Sequence, residues 1–264
     1  MNLKALLGKN YKWWYLLKYS FLQGNLKIKG FLINQLGFLL DLTLTMLVWQ
    51  NITKGNVSYI TYFFVGFMIS HIGWSSFSGS LASDIVTGKF NTYILRPTNF
   101  FGFVMVREIG SKLVSNIITS FSVVLLLPMF WNQVNLPSNI FLIFLPIILA
   151  TVFFVDYCIS LLLASIAFWD YDYGPWMRTL GNTVILLMGT RIPFYVFPSS
   201  IKPLFEYSPL GWSMYQPIEI YLSKYTFEQT FIITSCGIGW FLVLFLLVKI
   251  IYKAGLKRNE AVGL

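Results

Sequence analysis

Charge and acid–base chemistry are scarce in this chain. Only 11% of its 264 residues are Asp, Glu, Lys or Arg, against roughly a quarter in an average soluble domain. One histidine, His71, and two cysteines, Cys158 and Cys236, complete the inventory of soft ligands. Both cysteines lie inside apolar runs, with neither metal spacing nor a pairing pattern, and read as small buried hydrophobes. No metal site and no cofactor is expected in this chain. The phosphate-cradling G-x-x-x-x-G-K-[ST] loop is absent, so ATP is not bound by that route. The zinc motif H-E-x-x-H and the nucleophile elbow G-x-S-x-G are absent too. An enzyme would have almost nothing to work with.

What the chain does have is apolar length. Hydrophobic residues make up 56% of it and aromatic residues 19%. A soluble protein of this composition would lack the polar surface to cover its core, whereas a bilayer is a natural solvent for it. No stretch of 60 residues is free of a strongly apolar run, which leaves no room for a soluble catalytic domain. Apolar runs place six spans at about 31–52, 58–80, 104–130, 140–168, 178–198 and 230–252, each near the ~20 residues that cross a hydrocarbon core. The third and fourth are longer and must tilt or project. The expected fold class is therefore an all-α membrane protein, a single transmembrane domain over residues 1–264.

Lysine and arginine decide its orientation. With the N-terminus inside, fifteen basic residues fall on the cytoplasmic side, from Lys4 through Lys89, Arg107, Lys112 and Arg178 to Arg258. Four, Lys54, Arg191, Lys202 and Lys224, fall outside. Both termini are thus expected in the cytoplasm, with the chain multi-pass in the cell membrane. The net charge of +9 belongs beside anionic headgroups, each basic residue gaining about 1 kcal/mol there. It forms no stripe interleaved with base-stacking aromatics, so nucleic acid is excluded as a partner. The first thirty residues, with lysines throughout and no small-residue cleavage site, are not expected to be a removed signal. Within them, Trp13, Leu16, Leu17 and Phe21 recur at helical spacing beside lysines. That pattern fits a helix lying in the membrane interface or an aromatic belt ahead of the first span.

Three sets of residues are candidates for function. Between the second and third runs, Gly88 can stop a helix and Pro97 cannot be reached by one from the residue before it. Between them Phe90, Tyr93 and Ile94 recur at i, i+3 and i+4, the apolar face of a two-turn helix. A helix that short needs a partner surface, either its own protein or a groove on another. The segment 191–229 holds five of the ten prolines, Pro193, Pro198, Pro203, Pro209 and Pro217, and many aromatics, Phe194, Tyr195 and Phe197 among them. It exceeds what a hairpin between spans requires and predicts short helices dipping back into the membrane, a cap on a translocation path or a plain cover. The third set is the ionisable residues within spans, Asp41, His71 and Asp156. Such groups suggest either a substrate or proton path or polar glue between helices, and Asp41 and His71 fall at similar depth in adjacent spans.

Three stretches carry a family resemblance. They are Gly88-Lys-Phe-Asn-Thr-Tyr-Ile-Leu-Arg-Pro97, the run Pro193-Phe-Tyr-Val-Phe-Pro198 followed by Pro209-Leu-Gly211, and the tail Gly255-Leu-Lys-Arg-Asn-Glu-Ala-Val-Gly263. Together they resemble a type-2 ABC exporter permease, the six-span membrane subunit encoded with a separate ATPase. Relatives tend to carry an aromatic where this chain has Asn259. The resemblance implies a type V exporter-like fold. It implies a coupling helix in which Phe90, Asn91, Tyr93, Ile94, Leu95 and Arg96 meet the ATPase, and an N-terminal interfacial connecting helix. It further implies re-entrant helices whose Pro193, Phe194, Tyr195, Phe197 and Pro198 close the exit. The implied partners are an ABC ATPase subunit in two copies, which would bind ATP and magnesium, a second permease chain, identical or homologous, and membrane lipid. The implied function is outward movement of a hydrophobic or amphiphilic substrate such as a drug, peptide or lipid. A secondary transporter or ion pathway through Asp41, His71 and Asp156 is the alternative.

Overall fold

The computed structural model describes residues 11–26, 28–52, 57–73, 77–95, 99–131, 134–190 and 192–262. Arg96 and Pro97 lie outside them. Every regular element among the described residues is a helix. In chain order these are α1 (Tyr11–Leu26), α2 (Ile28–Ile52), α3 (Val57–Gly73), α4 (Phe77–Val86), α5 (Asn91–Ile94), α6 (Phe100–Phe130) and α7 (Asn139–Ser165). There follow α8 (Tyr173–Leu187), α9 (Lys202–Glu206), α10 (Tyr215–Tyr221) and α11 (Phe227–Val262), with short 3-10 turns at Ile166–Phe168, Phe194–Val196 and Pro209–Ser213.

Local chemistry sets the starts of the long helices. The Asn99 side chain accepts from the Phe101 amide at 3.0 Å ahead of α6. Ser138 accepts from the Phe141 amide at 3.0 Å ahead of α7. Thr226 and Gln229 exchange reciprocal bonds, a capping box that opens α11. Each satisfies amides that the first turn leaves without partners.

Among the described residues, two helices are long and apolar enough to cross a membrane, Asn139–Phe168 and Phe227–Arg258. Shorter apolar stretches lie at Leu39–Ile52 and Tyr59–Ile69. The bundle turns apolar side chains outward, among them Leu36, Leu40 and Leu44 on α2, Ile143 on α7 and Phe231, Leu246 and Ile250 on α11. Continuous apolar surface on that scale is unstable against water and suits lipid. The chain is an all-α membrane protein.

The long helices α7 and α11 run parallel. Phe144 meets Phe227 with ring centroids 5.3 Å apart, Phe154 meets Phe241 at 5.0 Å, and Gly255 lies against Phe168. The N-terminal α1 lies along α6 in the same direction. Trp13 covers Gly102, and a Cβ on Gly110 would stand 2.8 Å from the Leu17 carbonyl oxygen. Small residues on α6 thus let the two backbones approach, as helices in lipid require. Trp14, Tyr15, Tyr19 and Leu22 on the far side of α1 are exposed.

The apolar run 178–198 is not one helix. The α8 helix stops at Leu187, and Gly189 takes φ +83°, the left-handed conformation that ends helices. Tyr62 donates its hydroxyl to the Gly189 carbonyl at 3.1 Å, and Pro193 follows. An apolar count does not register a backbone reversal among apolar residues. Two hydrophobic clusters result. One gathers Phe90, Phe100, Phe168 and Tyr252 near the ends of α7 and α11; the other gathers Phe63, Phe194, Met214 and Tyr215 near their beginnings.

Candidate functional site

The turn after α4 is held to the bundle by both apolar and polar contacts. Gly88, at φ +74°, reverses the chain just past α4. The helix that follows is a single turn, Asn91–Ile94, shorter than the spacing of its apolar residues predicts. Phe90 is 1% exposed and meets Phe100, Phe168 and Tyr252 with ring centroids 5.3–5.6 Å away. Tyr93 is buried beside Phe103, its hydroxyl donating to Asp84 Oδ2 at 2.6 Å and accepting from Arg107 Nη1 at 2.6 Å. Arg107 and Asp84 are also paired at 3.7 Å. Burial, then the bond to Asp84, pushes the Tyr93 phenol above its usual range, while the Arg107 charge opposes that shift. The apolar stripe is therefore split. Phe90 and Tyr93 face the chain's own core, whereas Asn91, Ile94 and Leu95 face outward, Ile94 at 47% and Leu95 at 83% exposure.

The proline-rich segment folds into a plug of short helices. Pro193 and Phe194 are buried, Phe194 completely, while Tyr195 and Phe197 are half-buried and Pro198 is exposed. Phe194 packs on Tyr215 at 4.9 Å and Phe197 at 5.3 Å. Gly211 makes the fold-back possible, since a Cβ there would stand 2.5 Å from the Glu206 carbonyl oxygen. Buried Glu219 accepts a short hydrogen bond from the Tyr195 hydroxyl and pairs with Lys224 Nζ at 3.3 Å. The same ammonium lies 4.1 Å from the Tyr195 ring centroid, a cation–π contact. Ser223, at φ +60°, is the left-handed residue after α10 that brings Lys224 back to Glu219.

The plug reaches deep between the long helices. Trp212 sits against Gly237 on α11, and Ser213 donates to Asp156 Oδ1. Asp156 stands seventeen residues past Asn139, where α7 begins. At a rise of about 1.5 Å per residue that is roughly 26 Å along the helix. Asp156 is 2% exposed, and its Oδ2 has no hydrogen-bond partner among the described residues. Two further charged side chains, Glu108 and Lys112, are buried on α6 at 2% and 7% exposure. They stand one turn apart, and the Lys112 ammonium feels the charges of both Glu108 and Asp156. It also lies 5.8 Å from the Phe153 ring centroid. Burying an ion costs several kcal/mol even after relaxation unless it is paired, and Glu108 and Lys112 both have interaction partners.

The remaining sequence candidates fall elsewhere. Asp41 is half-buried on α2 and has an interaction partner. The His71 side chain lies outside the described residues, and the expected Asp41–His71 pairing with it. Arg96 lies outside them too. Among the described residues no group of three or more His, Cys, Asp or Glu side chains could hold a metal ion.

The family description for ABC-2 family transporter proteins matches residues 32–263. The chain belongs to that family. No curated protein matches it. The deep apolar helices are thus those of an ABC-2 permease, the membrane subunit of an ABC transporter. Sequence reasoning assigned Lys112 to a membrane-flanking basic group and passed over Glu108 and Ser213. The signal for the first two was present, because Glu108 and Lys112 carry opposite charges at i, i+4 spacing around Gly110. Nothing in the sequence brings Ser213 to Asp156, since that contact depends on the fold-back at Gly211.

Proposed function

We propose that this ABC-2 permease moves a hydrophobic or amphiphilic substrate, a drug, peptide or lipid, outward across the cell membrane. A separate ABC ATPase, present in two copies and carrying ATP and magnesium, drives it, and a second permease chain, identical or homologous, completes the pathway. In this reading the chain crosses six times with both termini in the cytoplasm. The run 178–198 crosses as α8 with the turn that follows it. Asn91, Ile94 and Leu95, with Arg96 beyond them, face the ATPase. The segment from Pro193 to Pro198 and its re-entrant continuation closes the exit.

The observation that carries the reading is the outward pair Ile94 and Leu95 on a turn locked to the bundle through Phe90, Tyr93, Asp84 and Arg107. A rigid base with an exposed apolar tip transmits a push from a partner, because the tip cannot yield independently of the helices behind it. Two ends of the bundle then answer one another: the turn lies against Tyr252 at the end of α7 and α11, and the plug enters at their beginning.

Purification of the chain with the ATPase encoded beside it tests this. Leu95→Asp and Ile94→Asp leave the thermal stability of the isolated permease unchanged within about 0.5 kcal/mol, as exposed sites do. Loss of an apolar anchor at the contact costs about 2 kcal/mol or more, a roughly thirtyfold weaker complex, with transport-linked ATP turnover falling accordingly. Undiminished complex formation and turnover in both variants would sink the coupling role. Phe90→Asp is the wrong test, because it buries a charge in the permease core and would act through folding. Transport by the isolated chain that follows an ion gradient would favour the alternative pathway through Asp41, His71 and Asp156.

A further inference from the structure

The first turns of α7 border a cavity of about 610 Å³. Phe141, Leu145 and Leu149 line it from one face of that helix, at i, i+4 and i+8. Those positions span about 12 Å of helix rise, so the cavity follows α7 over that length. Phe64 and Met68 of α3 line it as well, as do Val124 and Trp131 at the end of α6. Val124 and Trp131 are also 54% and 62% exposed, which opens the cavity toward the apolar surface that the bundle turns to lipid. Its polar residues stand together. The Tyr221 hydroxyl donates to the Asn135 carbonyl at 2.8 Å, and the Asn135 amide donates to Thr61 Oγ1 at 2.9 Å. The Tyr221 ring meets Phe141 with centroids 5.1 Å apart. The polar pair therefore marks the plug end of the cavity, and Leu149 marks the other.

These walls select what can fill the space. A buried water needs about two to four polar partners, and the lining residues of α3 and α7 are all apolar. A protein helix is about 10 Å across with its side chains, so two turns of one exceed this volume. The volume falls within the roughly 300–1,000 Å³ of small-molecule sites. We propose that the cavity binds one acyl chain of a membrane phospholipid, which enters sideways from the bilayer. The chain end lies toward Leu149, and the ester and headgroup stay at the level of Asn135, Tyr221 and Trp131. An acyl chain in a bilayer already lies along the spanning helices, so it can enter without turning. Lipid tails are as apolar as the wall, so close packing rather than escape from water retains the chain. The site is a property of this chain alone and does not rest on the transport reading.

Photolabelling of the full chain in lipid nanodiscs tests the site, using a phosphatidylcholine with a diazirine near the end of one acyl chain. Phe231, Leu246 and Ile250 on the open face of α11 serve as the reference for ordinary lipid contact. Peptides holding Met68, Leu145 and Leu149 take up at least about fivefold more label than that reference, as a retained chain should give. Leu149→Trp fills the cavity and lowers its label to the α11 level, with the α11 label unchanged. Val124→Trp obstructs the opening from an exposed position and has the same effect. This second variant decides the matter should Leu149→Trp fail to fold. Equal labelling of the cavity and α11 in the wild type overturns the proposal, as does excess label that survives in Val124→Trp. Two further results would also overturn it. One is labelling by a diazirine fatty acid but not by the phospholipid, which would assign the cavity to a free amphiphile. The other is a photo-crosslink from benzoylphenylalanine at position 149 to a second copy of the chain, which would assign it to a contact between permeases.

Discussion

At the two ends of α7 the chain builds aromatic clusters from the same residue types and finishes them in different ways. The cluster around Phe90 and Tyr252 is tied down by the Asp84–Tyr93–Arg107 chain and leaves Ile94 and Leu95 outside. The cluster around Phe194 and Tyr215 draws its polar groups inward instead, with Glu219, Tyr195 and Lys224 closing on one another. One end is a locked turn with an exposed apolar tip; the other is a folded-back insert, its polar groups drawn inward and its inner edge resting on Asp156. What separates them is the fate of a few polar side chains, not overall hydrophobicity.

The largest test of the contrast is Phe90→Ala. Removing a wholly buried phenylalanine costs about 3–5 kcal/mol, and here it takes the shared support of α5, α6, α7 and α11. Thermal unfolding of the purified permease in detergent should report the full loss in one transition. A loss below about 1 kcal/mol would mean that the turn is not part of the rigid body. Gly211→Ala comes next. Its methyl group would meet the Glu206 carbonyl, and overpacking of that kind costs about 1–3 kcal/mol. If the plug is a separable insert, exchange should quicken in residues 193–221 while the Phe90 end keeps its protection. Uniform loosening at both ends would erase the distinction. The smallest effect is a gain. Ser223 occupies a left-handed conformation that suits glycine, so Ser223→Gly should raise stability by up to about 1 kcal/mol. An unchanged or lower melting temperature would show that the serine side chain offsets its backbone strain.

The all-α class was legible because apolar stretches without strand alternation leave helices as the one way to satisfy the backbone in lipid. The helix stop at Gly88 was legible for the same local reason that makes glycine common after helices. Periodicity picked out Phe90, Tyr93 and Ile94 as one stripe, yet it says nothing about which surface a stripe meets. The structure turns two of the three inward, because Phe168 and Tyr252 arrive from far along the chain to receive Phe90, and Phe103 and Asp84 receive Tyr93. The end of α8 was hidden for a different reason, as hydropathy is blind to the sign of φ at Gly189. Asp156 stood out as an ionisable residue in an apolar run. Its setting did not, since Lys112 resembled one more flanking lysine and Ser213 one more loop residue.

The seat of Trp212 on Gly237 has a consequence for how the molecule is made. Residues 193–221 leave the ribosome before α11 does, yet the surface that receives Trp212 belongs to α11. Phe194 and Tyr215 can pack with Phe63 before that helix arrives, but Trp212 waits for its seat until α11 lies beside α7. A chain truncated ahead of α11 would leave Trp212 without the surface that receives it.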